Sequence, residues 1–288
     1  MYKILVPTDF SKVSQNAFKY ALEMASDRNA SIDLVHIHSG HLSPGDPFTT
    51  FSPNKTTKDI LHKRLTYFVE DTMKSMPKST SSIEIEILSI VGLNTSKSIC
   101  KISKDYNLII MGSTGDNNIL KKIIGSTASS ITQNAQCPVM VIPKNISYKG
   151  FEKIVYASNW ESAKPIIIQK ISDWAREFNS SIDFVHITEI NEQESFDRTK
   201  EKIIETLFDK ENCSFSFNVL SILDKSILNG IQNYALKNNA SMVILVNNKK
   251  GLFSNLFGQS LTNKIIPNLK IPILVYHTKK EELLETTA

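Results

Sequence analysis

Cysteine is scarce in this sequence: Cys100, Cys137 and Cys213 are scattered and odd in number. Neither a disulfide framework nor a Cys-x-x-Cys metal or redox site can be drawn from them, and a reducing compartment is the expectation. An excess of one charge is missing too. The 33 Lys and Arg stand against 29 Asp and Glu, and no basic run marks a nucleic-acid or lipid-headgroup surface. No apolar stretch approaches the ~20 residues that span a bilayer. The start, "MYKILVPTDF", enters an apolar run without a basic leader and cleavage site. Together these absences predict a cytoplasmic protein with neither nucleic acid nor membrane as a partner. Glycine is also sparse, ten in 288 residues. Its clustering therefore carries information: three of the ten, Gly112, Gly115 and Gly125, fall inside "IIMGSTGDNNILKKIIGSTASSI".

A chain of this length exceeds one ordinary domain. The repeat inside it decides the organisation. "KILVPTDFSKVSQNAFKYALEMASDRNASIDLVHI" from Lys3 aligns without a gap with "KIVYASNWESAKPIIIQKISDWAREFNSSIDFVHI" from Lys153, at an offset of 150. Towards the ends of the halves, "NLIIMG" matches "SMVILV" and "CPVMVIP" matches "IPILVYH" at an offset of 134. The chain reads as a duplication, with domains expected over residues 1–145 and 151–280. The first half carries an extra loop, "SGHLSPGDPFTTFSPNKTT".

Each half alternates strand and helix. In the first, apolar runs at Ile4 to Val6, Ile32 to Ile37, Ile83 to Ile90, Leu108 to Met111 and Val139 to Ile142 have strand length. The first, second and fourth are continuous rather than alternating, as in a parallel sheet covered on both faces. Helical patterns fall between them. The expected fold is α/β: two tandem doubly wound domains, each a five-stranded parallel sheet of order 3-2-1-4-5. Ligands in such sheets bind at the carboxyl ends of strands 1 and 4. Strand 1 delivers "PTDFS" there, and strand 4 delivers the glycine segment.

Gly112 and Gly115 flank a turn where positive φ is open to the backbone, no Cβ blocks a ligand and successive N–H groups can form an anion nest. Gly125, Ser126 and Thr127 open the next helix, whose free N–H groups suit a phosphate. Asp9 at the end of strand 1 is suited to accept hydrogen bonds from a ribose or base. Its plain structural duty would be to cap the first helix.

G-x-x-G, nine residues and then Gly-Ser after strand 4, with "PTDFS" after strand 1, resembles the universal stress protein family and its ATP-binding branch. The resemblance implies that Pro7, Thr8 and Asp9 line the adenine and ribose end and that Ile37 packs against the base. It further implies that Met111, Gly112, Ser113, Gly115, Gly125, Ser126 and Thr127 hold ribose and phosphates. The implied cofactor is ATP, or AMP or ADP, with magnesium accompanying a triphosphate. No carboxylate cluster would hold the metal without the phosphates.

The second half departs from the pattern. Asp9 becomes Asn159, Gly112 becomes Val246, Gly115 becomes Lys249 and Gly125 becomes Gln259. A degenerate domain, retained for packing and partner contacts, is the expectation. "HSGH" at His38 to His41 has the spelling of a nucleotidyltransferase motif but follows strand 2 and runs into a helix-hostile loop. No catalytic residue is assigned and no general base is found for a γ-phosphate. The reading is therefore a nucleotide-dependent regulatory or interaction module. The alternatives are a weak ATPase or adenylyl-transfer enzyme, or a nucleotide-free scaffold. Strand 5 is apolar in both halves and would be an unprotected edge. Pairing of Val139–Ile142 with Ile273–Tyr276 about a pseudo-twofold axis, an intrachain pseudo-dimer, is the expectation, and a homodimer of the whole chain is compatible with it.

Overall fold

The computed structural model describes residues 1–38, 55–113, 126–157, 165–188, 193–208, 215–247 and 270–277. They form two compact units, Met1–Tyr148 and Lys149–Ala288.

The first unit runs β1 (Tyr2–Pro7), α1 (Lys12–Arg28), β2 (Ala30–His38), α2 (Lys55–Met73), β3 (Ile85–Val91), α3 (Thr95–Ile102), β4 (Leu108–Gly112), α4 (Ser126–Asn134) and β5 (Val139–Ile142). All its strand pairs are parallel, and the order is β3-β2-β1-β4-β5. The sequence explains the elements. β1, β4 and β5 are short apolar runs, and Ile4, Leu5, Leu108, Ile109 and Val139 have no exposed surface. Each such side chain contributes roughly 1.5–3 kcal/mol on leaving water. β3 is the half-exposed edge, which suits its alternation of Ile with Glu and Ser. Helix α1 begins where Ser11 accepts the Ser14 N–H at 3.1 Å, and it ends at Asn29 in the left-handed region. Its buried stripe, with Ala17, Phe18, Ala21 and Ala25 at its centre, lies on β1, β2 and β4. Phe18 stacks on Phe68 of α2, ring centroids 6.1 Å apart.

The second unit repeats this: β6 (Lys153–Ala157), α5 (Pro165–Phe178), β7 (Ser181–Thr188), α6 (Gln193–Phe208), β8 (Phe217–Leu223), α7 (Ile227–Lys237), β9 (Met242–Asn247) and β10 (Ile273–His277). Its pairings are again parallel, with β6 between β7 and β9. The doubly wound five-stranded architecture read from the sequence is thus present in each unit.

At the amino ends of the strands each unit carries a buried carboxylate. Asp33, 2% exposed, receives Lys3 Nζ at 2.7 Å and the Tyr106 hydroxyl at 2.6 Å. Asp183, 1% exposed, receives Lys153 Nζ at 2.9 Å, the Tyr234 hydroxyl at 2.8 Å and Asn218 Nδ2 at 2.8 Å. A buried carboxylate persists only with such partners. The two lysines are repeat equivalents. The two tyrosines are not: Tyr106 precedes β4, whereas Tyr234 sits inside α7.

Candidate functional site

In a doubly wound sheet the chain leaves β1 toward one side and β4 toward the other, and a crevice opens at the carboxyl ends of those neighbours. Here β1 and β4 pair at Ile4↔Leu108 and Leu5↔Ile109. Pro7 and Met111 each stand two residues beyond Leu5 and Ile109. The structure thus brings the "PTDFS" turn to the same end as the strand that leads into the glycine segment.

The turn after β1 is tightly built. Thr8 is 6% exposed; its N–H donates to the Val35 carbonyl at 2.8 Å, and its hydroxyl lies 3.0 Å from that of Ser14. The Phe10 N–H donates to Thr8 Oγ1 at 3.0 Å, and the Ser11 N–H to Asp9 Oδ1 at 3.0 Å. Capping of α1 therefore falls to Ser11, not to Asp9 as the structural alternative had it. Asp9 is exposed. Phe10 has φ 65°, a left-handed conformation rare for a bulky side chain.

Ile37, near the end of β2, is 8% exposed, and Met111 on β4 is 7% exposed. Ser113, just past β4, is 6% exposed, and its N–H donates to the Ile142 carbonyl at 3.1 Å. Ser126 opens α4, with Thr127 beside it, half-buried. Gly115, Gly125 and the intervening lysines Lys121 and Lys122 lie outside the described residues.

Gly112 departs from its expected role. It is not among the residues of positive φ, so no nest conformation is centred on it. A Cβ there would meet Val13 Cγ1 at 2.6 Å and the Val13 carbonyl oxygen at 3.0 Å. The first turn of α1 occupies the space, so the missing Cβ serves close helix–strand packing.

A cluster the sequence did not announce lies behind the turn. His36 on β2 places Nδ1 2.8 Å from the Thr8 carbonyl oxygen, which fixes that nitrogen as the protonated one. Its ring lies 4.6 Å from that of Phe10, and the guanidinium of Arg64 on α2 lies 4.0 Å from the Phe10 centroid. Burial holds the His36 imidazole below its ordinary value; His38 and Arg64 press the same way, against the Thr8 carbonyl and Asp9. His36 thus takes its partner within the fold, as a histidine inside a strand is expected to. Of "HSGH", His38 ends β2, and the other three residues lie outside the described ones.

Residues 1–143 match the model of the Universal stress protein family. The chain belongs to the universal stress protein family through its first unit. Two universal stress proteins of Methanocaldococcus jannaschii align with about half of the chain. MJ0531 is 28% identical over 146 residues, covering 49% of this chain and 82% of its own. MJ0577 is 26% identical over 159 residues, covering 51% and 98%. The crystal structure of a universal stress protein from Archaeoglobus fulgidus superposes with a TM-score of 0.68 over 97% of each chain. At 14% identity that likeness concerns the fold alone, but it extends the family's fold across both units. Among the described residues, no helix is long and apolar enough to cross a membrane.

Proposed function

We propose that the first unit binds one adenine nucleotide and acts as a nucleotide-dependent regulatory or interaction module, while the second binds none. The observation that carries this is the exposed Asp9 carboxylate, held by an Asx turn at the carboxyl end of β1 beside the end of β4. Such a carboxylate accepts hydrogen bonds from ribose hydroxyls, and the flank of Ile37 offers an apolar surface to a base. The residues present thus fit the base and ribose end of a nucleotide. Phosphates would fall to the segment from Gly115 to Thr127, where helix α4 begins.

Nothing in this arrangement calls for hydrolysis. Bound nucleotide would instead change the surface offered to a protein partner. Magnesium would arrive with a triphosphate, held by the phosphates themselves.

Isothermal titration of the full chain with ATP tests the reading. The expected stoichiometry is one per chain, and a value near two overturns the assignment of the second unit. Gly115→Lys, which copies the second half into the first, should abolish binding without unfolding the chain. AMP affinity should be unchanged by EDTA. A parent chain that binds no adenine nucleotide overturns the reading altogether.

A further inference from the structure

Phe10 is the one aromatic residue with positive φ among the described residues. A residue held in so sparsely populated a conformation persists only where its surroundings over-determine it, and such residues gather at functional turns. Four contacts hold this one. Its N–H is tied to Thr8 Oγ1 at 3.0 Å. Its ring lies against His36, and Arg64 covers it from α2, while Phe68 meets it edge-on at 5.8 Å. His36 in turn fixes the carbonyl of Thr8, two residues before Phe10. The residue between them is Asp9.

We propose that His36 is a positioning residue of the candidate nucleotide site: by bracing the Thr8 carbonyl and the Phe10 ring it holds the turn in the form that presents the Asp9 carboxylate. The proposal rests on the nucleotide reading above and assigns that site a pH dependence. The neutral imidazole, with its proton on Nδ1, satisfies the carbonyl and leaves the Phe10 ring to Arg64. A second proton keeps the hydrogen bond but adds a cation beneath Phe10. There it faces Arg64 from α2 and His38 from its own strand, with Asp9 as the opposing charge and the neutral Ser89 as its partner across β3. Repulsion then loosens Arg64 from Phe10, and the turn with it.

Burial disfavours the second proton first of all, so His36 titrates below the ordinary histidine value. The sign follows. The ordered turn is fully populated above about pH 6.5, the ordinary histidine pKa, and is lost as pH falls below it.

Two measurements on the full chain test this. The first needs no nucleotide: the His36 ring and the Asp9 and Phe10 amides are followed by NMR through an acid titration. The amides should move with the His36 midpoint, and Arg64→Gln should raise that midpoint. Amides indifferent to His36 overturn the proposal, whether or not nucleotide binds. The second compares ATP affinity. His36→Phe keeps a ring but removes the donor and should weaken binding about tenfold, the upper worth of one neutral hydrogen bond. His36→Asn restores a donor and should recover part of the affinity while losing the acid dependence. Equal affinity for His36→Phe and the parent, with unchanged pH profiles, overturns it as well.

Discussion

Set side by side, the two units keep one fold while exchanging the residues that make it. Where β4 meets α1, the first unit has Gly112 facing Val13. At the equivalent sequence positions the second half has Val246 and Ala163, the large and small partners reversed. The same reversal occurs after the third strand. In the first unit Gly92 faces Ser98 of α3 and Ile37, with a Cβ on the glycine meeting Ser98 Oγ at 2.3 Å and Ile37 Cγ2 at 3.1 Å. In the second, Asp224 takes the loop position and the glycine moves into α7 as Gly230, whose Cβ would meet Asp224 Cβ at 3.1 Å and Ile187 Cγ2 at 2.8 Å. Both loops keep their backbone bond, Gly92 N–H to the His38 carbonyl and Asp224 N–H to the Thr188 carbonyl, each 3.0 Å. Close-packed interiors tolerate substitution when summed volume is conserved, and paired swaps conserve it. The lesson concerns Val246. Read alone it looks like a blocked ligand site; set beside its sequence counterpart Ala163, which lies outside the described residues, we infer that it is half of a volume exchange. The case against a nucleotide in the second unit then rests on Asn159, Lys249 and Gln259.

The largest effects should come from the buried carboxylates. Asp183→Ala strands Lys153, Asn218 and Tyr234 together, and breaking a buried pair of this kind costs about 3 kcal/mol. Asp33→Ala should cost less, about 2 kcal/mol, because Lys3 is 39% exposed in its side chain and water can replace its partner. Both tryptophans, Trp160 and Trp174, belong to the second half, so their fluorescence follows its unfolding. Acid sharpens the contrast. Burial by itself would raise the Asp183 carboxyl, but hydrogen bonds from Asn218, Lys153 and Tyr234 and the lysine's charge outweigh it and hold the carboxyl below its usual value. A depressed carboxyl stabilises the fold above the unfolded value, about pH 3.9, and loses that contribution as pH falls through the folded one. Asp183→Asn should therefore flatten the acid limb of the fluorescence-monitored stability. An acid limb identical to the parent's would show that Asp183 does not set it.

A smaller effect isolates the first exchange. Gly112→Val should cost roughly 1–3 kcal/mol by overpacking against Val13. Adding Val13→Ala should recover most of it, although Val13→Ala alone opens a cavity and costs about 2 kcal/mol. The double-mutant cycle reads the coupling directly by chemical denaturation. Additive losses would mean that the two positions do not compensate each other.

Much of this fold was legible because the strands are short apolar runs and the repeat is gapless across the first strand, helix and second strand. The observed strands fall on the five runs read from the first half. What stayed hidden has physical causes. The shared Lys–Asp–Tyr network could not be aligned, since Tyr106 and Tyr234 reach their carboxylates from different elements. Asp9 and the capping role were entangled until the hydrogen bonds assigned the cap to Ser11. Gly112 was read through the backbone freedom of glycine and the space it leaves a ligand; the φ is not positive, and the contact with Val13 across to α1 was not visible in the sequence. Phe10, His36 and Arg64 come from a turn, a strand and a helix, and no local spacing could have joined them.

The smallest expected effect tests whether the second exchange also tunes the site. Gly92→Asp copies the second unit's loop into the first. Its Cβ would press on the hydroxyl of Ser98, the end of a short side chain that can rotate, so the stability loss should be about 1 kcal/mol. Ser98→Gly in the same chain reproduces the second unit's pairing and should return the stability lost to crowding, less the cost of a glycine inside α3. The carboxylate, however, remains. It would stand beside Ile37, on the flank proposed to meet the base, and an added negative charge there disfavours a polyanionic ligand at low ionic strength. Gly92→Asp/Ser98→Gly should thus be nearly as stable as the parent yet bind ATP several-fold more weakly than AMP-scale charge alone would predict, with the gap closing in high salt. Were ATP and AMP affinities to fall by the same factor at every salt concentration, the exchange would be a matter of packing alone. The second unit's Asp224 would then carry no argument about why that unit should refuse a nucleotide.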